Sequence, residues 1–392
     1  IATLGFAVTF WAWALISPLA PSLATKLGLS SFQQSLIVAV PVIVGSLGRI
    51  PIGALTDRFG GRLMLPIVSV ATIVPVLFLA FFGDQSLATL LIGGFFLGIG
   101  GTSFAVGVPF VSAWFPPERR GLAIGIFGVG MVGTAISAFT TVRLVELGSS
   151  ATPFLVTAAA LAVYAVVAWL LLRDAPGQVR PTTSMAKRVG EPLKRGVTWQ
   201  AAALYATLFG GYVAFSVYLP SLLKAEYDLS IADASNRMAG FVILAVIMRP
   251  VGGFLSDKIG PVPVLATCLG AVVFGALIDA TSPALFPIAT IAYLVMAAGL
   301  GAGSGATFAL VALLSPAGKV GSVTGVVGAA GGLGGFVPPL LMGVVYGATG
   351  SYTIGFLLLA LVAAAVLVFT LTSIRSVLAK RDAVEVQRKV TA

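Results

Sequence analysis

About twelve uninterrupted apolar runs, each 18 residues or longer and separated by short polar breaks, constrain this chain more than any other feature in it. Wound as a helix, such a run matches the roughly 30 Å hydrocarbon core of a bilayer. In lipid every backbone amide must be paired within the protein, which leaves helices or closed barrels. The apolar-polar alternation of a barrel strand is absent. The sequence therefore predicts an all-α membrane protein with twelve transmembrane helices, near 1–24, 32–56, 63–83, 87–115, 121–147, 152–172, 199–223, 237–256, 262–281, 286–314, 321–348 and 352–374. Only 9% of the 392 residues are charged, against roughly a quarter in soluble domains.

The chain opens on Ile1 rather than Met, so an earlier segment is expected and no signal segment is read. The absence of histidine rules out a His-ligated metal or haem. The single cysteine, Cys268, rules out an internal disulfide. No cofactor is expected. The net charge of +10 is distributed by topology: 17 of the 23 Lys and Arg, from Arg58 and Arg62 to Arg388 and Lys389, fall on the side holding both ends. Lys26, Arg143, Lys224 and Arg237 fall on the other. The positive-inside rule makes both termini cytoplasmic in a multi-pass protein of the inner or plasma membrane. Its basic face is expected to meet lipid rather than nucleic acid.

The longest polar break, "RDAPGQVRPTTSMAKRVGEPLKRG", gives the expected domains: an N-terminal six-helix bundle (1–172), a cytoplasmic linker (173–198), a C-terminal six-helix bundle (199–374) and a cytoplasmic tail (375–392). The halves match at a constant offset of 200: Arg49 with Arg249, Gly53 with Gly253, Asp57 with Asp257, Gly60 with Gly260, Gly101 with Gly301, Pro116 with Pro316 and Gly128 with Gly328. Two pseudo-symmetric bundles related in this parallel sense are the plan of carriers that rock around a midplane site.

Arg49 and Arg249 each lie eight residues before an aspartate at a helix end, about 12 Å into the membrane at 1.5 Å per residue. A charge at that depth costs about 2.5 to 3.5 kcal/mol even on insertion scales. The sequence places no acid beside them: Glu146 and Asp279 fall at outer helix ends, and the other acids in loops or tails. Two planar guanidiniums without a counter-ion suit a small oxyanion, which each can grip through paired hydrogen bonds. Without intramembrane His or a carboxylate pair, acid-base enzyme chemistry has no bearer, so the chain is not read as an enzyme.

"GALTDRFGGR", with its echo "GFLSDKIG", resembles the loop motif of the major facilitator superfamily. The resemblance makes Gly53, Asp57, Arg58, Gly253 and Asp257 a conformational latch; Gly53 and Gly253 are expected to permit close helix approach. Together with "WFPPERRG", "GIGGTSFAVGVPF" and the glycine-rich fifth and eleventh helices, the chain resembles the nitrate/nitrite porter family of that superfamily over nearly its whole length. This implies a monomeric nitrate or nitrite carrier serving nitrate assimilation, with Arg49 and Arg249 as the anion clamp. Gly128, Gly130 and Gly133, and Gly328, Gly331, Gly332, Gly334 and Gly335, become signature glycines beside the site. Tyr205 and Phe209, four apart and so on one helix face, become pocket walls with Phe104 and Phe10, the rings lying above and below a flat anion. Met131 stands where members of the family commonly have asparagine, which leaves another anion, such as an organic carboxylate, open as cargo. A site with two unbalanced positive charges favours exchange of nitrate for nitrite over a free uniporter; proton-coupled uptake is the alternative. An anion channel would also use membrane arginines, but the repeated halves and latch motifs favour a carrier.

Overall fold

The computed structural model describes residues 1–115, 120–176, 190, 193–314 and 320–376. Pro116, Arg119 and Pro316, most of the linker and the tail beyond residue 376 lie outside that set. The described residues include twelve helices of membrane-crossing length and apolarity and no strands. They are α1 (Ala2–Leu27), α2 (Ser31–Phe59), α3 (Gly61–Phe82), α4 (Leu87–Ala113), α5 (Ala123–Leu147), α6 (Thr152–Leu171), α7 (Gly196–Tyr227), α8 (Ile231–Ile259), α9 (Pro261–Asp279), α10 (Leu285–Val311), α11 (Gly325–Thr349) and α12 (Thr353–Ile374).

Packing repeats with the sequence. In the first bundle α1 packs on α5, α2 on α4 and α3 on α6; in the second α7 packs on α11, α8 on α10 and α9 on α12. The bundles meet along three seams: α1 with α7, α2 with α11 and α5 with α8. α7 is the most enclosed helix and α12 among the most exposed. Large apolar side chains such as Val74, Phe81 and Leu361 are exposed on the outside, where a bilayer replaces water.

Local signals are duplicated too. α2 and α8 are N-capped by Ser30 and Ser230, whose hydroxyls accept from Gln33 N (3.3 Å) and Asp233 N (3.1 Å). Each helix ends in a glycine with a left-handed φ, +84° at Gly60 and +85° at Gly260, a conformation most side chains resist. Just beyond α6, Asp174 Oδ1 accepts the Arg62 amide at 2.9 Å and so caps α3.

The largest boundary difference from the sequence expectation is at the start of α8. α8 begins at Ile231 rather than residue 237. Its first turn is polar, so hydropathy shows a break, but the Ser230 cap and the Asp233–Arg237 pair at 3.1 Å hold it helical.

The halves differ where they approach the centre. In the first bundle α2 is interrupted at Gly48, α4 tightens into a 3₁₀ turn over Gly98–Thr102, and α5 does so over Val129–Val132. α8 runs unbroken through the corresponding level. On the face away from the termini the bundles touch: Ser17 Oγ donates to Val217 O at 2.5 Å, and Arg143 Nη1 to Asn236 Oδ1 at 3.1 Å.

Candidate functional site: an arginine pair at the bundle seam

The break at Gly48 presents Arg49 at the seam of α2 and α11. The residue is 8% exposed. Its Nη1 donates to Gly328 O of α11 at 2.8 Å, and its Nε to Gly101 O of α4 at 3.4 Å. Arg249, on α8, is half-buried. It donates to Tyr205 Oη of α7 from Nη2 and contacts Met131 Sδ of α5 from Nη1, each at 2.7 Å. Each arginine thus reaches across the seam onto the glycine-rich helix of the other bundle. Among the described residues neither guanidinium pairs with a carboxylate. Asp279, the last residue of α9, is 3% exposed, and neither of its oxygens has a hydrogen-bond partner among the described residues.

Aromatic rings enclose the pair. The Arg49 guanidinium carbon lies 5.1 Å from the centroid of Phe104 and that of Arg249 5.7 Å from Phe308. Both lie over Phe209, at 5.9 and 5.4 Å, within the range of cation–π attraction. The expectation of rings above and below a flat anion does not fit Tyr205 and Phe209. They stack directly on each other, centroids 4.6 Å apart and planes 2° apart, and so form a single wall. Phe10 packs against Phe6 and Trp13 and lines the cavity beside Arg49 with Ser46 and Gly332.

The structure brings Arg49, Arg249, Tyr205, Phe209 and Phe104 together and adds Phe308, Met131 and Tyr212. Tyr212 Oη is 3.3 Å from Thr134 Oγ1 across the seam. Phe308 carries a signal that a constant-offset search misses: "GATF" of α10 repeats "GTSF" of α4 at an offset of 204, one helical turn further on.

The signature glycines divide by what a Cβ would meet. At Gly133 and Gly334 it would strike the backbone of the packed neighbour, Ala7 and Ala206. At Gly130 it would meet Phe6, at Gly332 Ser46, and at Gly335 Val213. Gly331 backs onto Tyr205 and Phe209. Among the described residues a Cβ at Gly128 would meet nothing within 4 Å and one at Gly328 only Phe104 Cε1 at 3.8 Å, so these two leave space rather than close it.

The latch residues need a correction. Among the described residues a Cβ at Gly53 or Gly253 would meet nothing within 4 Å, so the expected close approach is not found there. That requirement falls on Gly252, against Ala302, and Gly305, against the Arg249 carbonyl. Arg58 lies over Phe59 at 5.2 Å and Lys258 over Phe254 at 4.5 Å; Asp57 is half-buried and Asp257 exposed.

Two related bundles of membrane-spanning helices around a polar centre follow the plan of membrane transporters. The Major Facilitator Superfamily model matches residues 2–235 and again 214–390. The "Probable nitrate/nitrite transporter NarK2" of Mycobacterium tuberculosis is 48% identical over 372 residues, 94% of this chain and 93% of that protein. The "Nitrite extrusion protein" of Bacillus subtilis is 36% identical over 366 residues, 93% and 90%. The chain therefore belongs to the major facilitator superfamily and, within it, to the nitrate/nitrite porter family. Among solved structures, a bacterial homolog of the human lysosomal transporter Spinster aligns with a TM-score of 0.74 at 19% identity, over 95% of each chain. A D-xylose-proton symporter aligns at 0.72 and 17% identity, over 95% of this chain and 96% of that one. At such identities the likeness is one of fold.

Proposed function

We propose that this protein carries nitrate and nitrite across the membrane by alternating access, as an exchanger, with the anion held between Arg49 and Arg249. The observation that carries the reading is that two guanidiniums, one from each bundle, share an aromatic enclosure and, among the described residues, donate only to neutral acceptors. A nitrate ion offers three oxygens in a plane, which a pair of guanidinium forks matches. It would compete with Gly328 O and Met131 Sδ for the same donors and draw the bundles onto one ligand. Without it the two charges stay unbalanced in a poorly solvated centre, which disfavours reorientation and so favours exchange. The asymmetry of basic residues supports cytoplasmic termini, with the Arg143–Asn236 contact on the outer side.

Buried, unpartnered Asp279 favours a second reading, proton-coupled uptake, since ionisable groups inside membranes are recurrent proton carriers. The test is nitrate entry into proteoliposomes loaded with nitrite or left without it, each with and without an inward proton gradient. Exchange predicts acceleration by internal nitrite alone. Dependence on the gradient, abolished in Asp279→Asn, would replace it with symport.

A further inference from the structure

The two-arginine clamp explains the charges of the site but gives Met131 no task. Met131 lies in the 3₁₀ stretch of α5, 3% exposed, with its Sδ against Arg249 Nη1 at 2.7 Å. It lines a small cavity with Arg249, Phe209 and Tyr212. The contact crosses the seam, as does that of Arg49 with Gly328, but the acceptors differ. A backbone carbonyl is a strong acceptor fixed in a helix; a thioether is a weak, polarisable one on a flexible side chain, and it has no hydrogen to donate.

Two consequences follow for an anion at Arg249. It displaces a weak acceptor rather than a strong one, and the Met131 side of the site then returns no hydrogen bond to it, whatever the Tyr205 and Tyr212 hydroxyls nearby supply. An oxyanion that concentrates its charge on two oxygens loses strong hydration on entry and needs donors to replace it. One that spreads a single charge over three oxygens needs them less. Resting on the anion-carrier reading above, we propose that Met131 is a specificity-determining residue. It biases the Arg249 side of the site toward charge-diffuse oxyanions such as nitrate, over nitrite and small carboxylates.

The test uses the whole chain in liposomes preloaded with nitrate, reading uptake of labelled nitrate against competing nitrite or formate. Met131→Asn places an amide donor at the same point. It is expected to shift the nitrite-to-nitrate competition ratio toward nitrite about fivefold, the scale of one net hydrogen bond. Formate should gain in the same direction. Met131→Leu, apolar and without a donor, should leave the ratio within about twofold of the parent, since no such bond is added. If Met131→Asn does not reach the membrane, Met131→Gln, with its longer unbranched chain, carries the same test. Asn and Gln variants that move nitrate with the parental ratio, even at lower rates, overturn the assignment, because a packing role changes rate without changing preference. A parent chain that moves no nitrate overturns the carrier reading beneath it.

Discussion

Arg49 and Arg249 occupy the same position in two copies of one half, yet the copies hold them by different means. Arg49 follows a helix break, is nearly sealed from solvent, and donates to two backbone carbonyls. Arg249 rises from an unbroken helix, is half-buried, and donates to two side chains. Backbone acceptors move only when helices move; side-chain acceptors can turn aside alone. Under the proposed mechanism Arg49 therefore couples the anion to the bundles, while Arg249 adjusts to the anion.

The largest effects come from changing the arginines themselves. Arg49→Lys and Arg249→Lys keep the charge and lose the fork, and each should lower nitrate exchange about a hundredfold or more, the scale of roughly 3 kcal/mol for a disrupted buried charge contact. Initial rates across nitrate concentrations separate the two. Arg49→Lys should depress Vmax as well as affinity, and Arg249→Lys chiefly affinity. Equal loss of Vmax would show that the halves act alike, and wild-type transport by either folded variant would end the clamp reading.

The glycines of α11 offer a sharper contrast inside one helix. A methyl at Gly331 would run into Tyr205 and meet Phe209 Cδ1 at 3.0 Å, whereas at Gly328 the nearest atom is 3.8 Å away. Gly331→Ala should cost about 1 to 3 kcal/mol of packing and lower exchange roughly tenfold, read with a melting curve of the purified protein. Gly328→Ala should leave both close to the parent. Comparable losses would mean that α11 tolerates no side chain at this level, whatever surrounds it.

Which parts of this were legible beforehand follows from what leaves a trace in composition. Lipid solvation writes long apolar runs, so the helices could be placed to within a few residues, except where the capped polar turn of Ser230 and Asp233 began α8 early. Duplication writes a constant offset, which exposed both arginines and the glycine turns at Gly60 and Gly260. Tyr205 and Phe209 were visible as a one-face pair. The acceptors of Arg49 were not, because a backbone carbonyl has no residue signature. Gly53 and Gly253 looked like contact glycines, but contact depends on what faces a helix, and that lies elsewhere in the chain.

Between the arginines and the other rings stands Tyr205, whose hydroxyl accepts from Arg249 Nη2. Tyr205→Phe retains the ring that stacks on Phe209 and removes only that acceptor. Losing one hydrogen bond to a charged group is worth about 1.5 to 3 kcal/mol at most, and here the anion can take the freed donor. Nitrate KM should therefore change by no more than about tenfold, with Vmax nearly kept. A collapse of Vmax would instead make Tyr205 part of the coupling between bundles and move Arg249 closer in behaviour to Arg49.

The smallest expected effect tests how deep the duplication goes. Phe104 and Phe308 stand over Arg49 and Arg249 at 5.1 and 5.7 Å, although the offset of 204 places Phe308 one turn beyond its strict equivalent. What has been kept is a ring beside each guanidinium rather than a residue at a position. Phe104→Leu and Phe308→Leu retain bulk and remove the π face, so each should raise nitrate KM by about three- to tenfold, the scale of one cation–π contact. Arg49 is held by carbonyls on two helices and should tolerate loss of its ring better than Arg249, whose other partners are movable side chains. Phe308→Leu is therefore expected to have the larger effect of the two. The reverse order would mean that burial, greater at Arg49, decides the strength of the ring contact and that the nature of the acceptors does not.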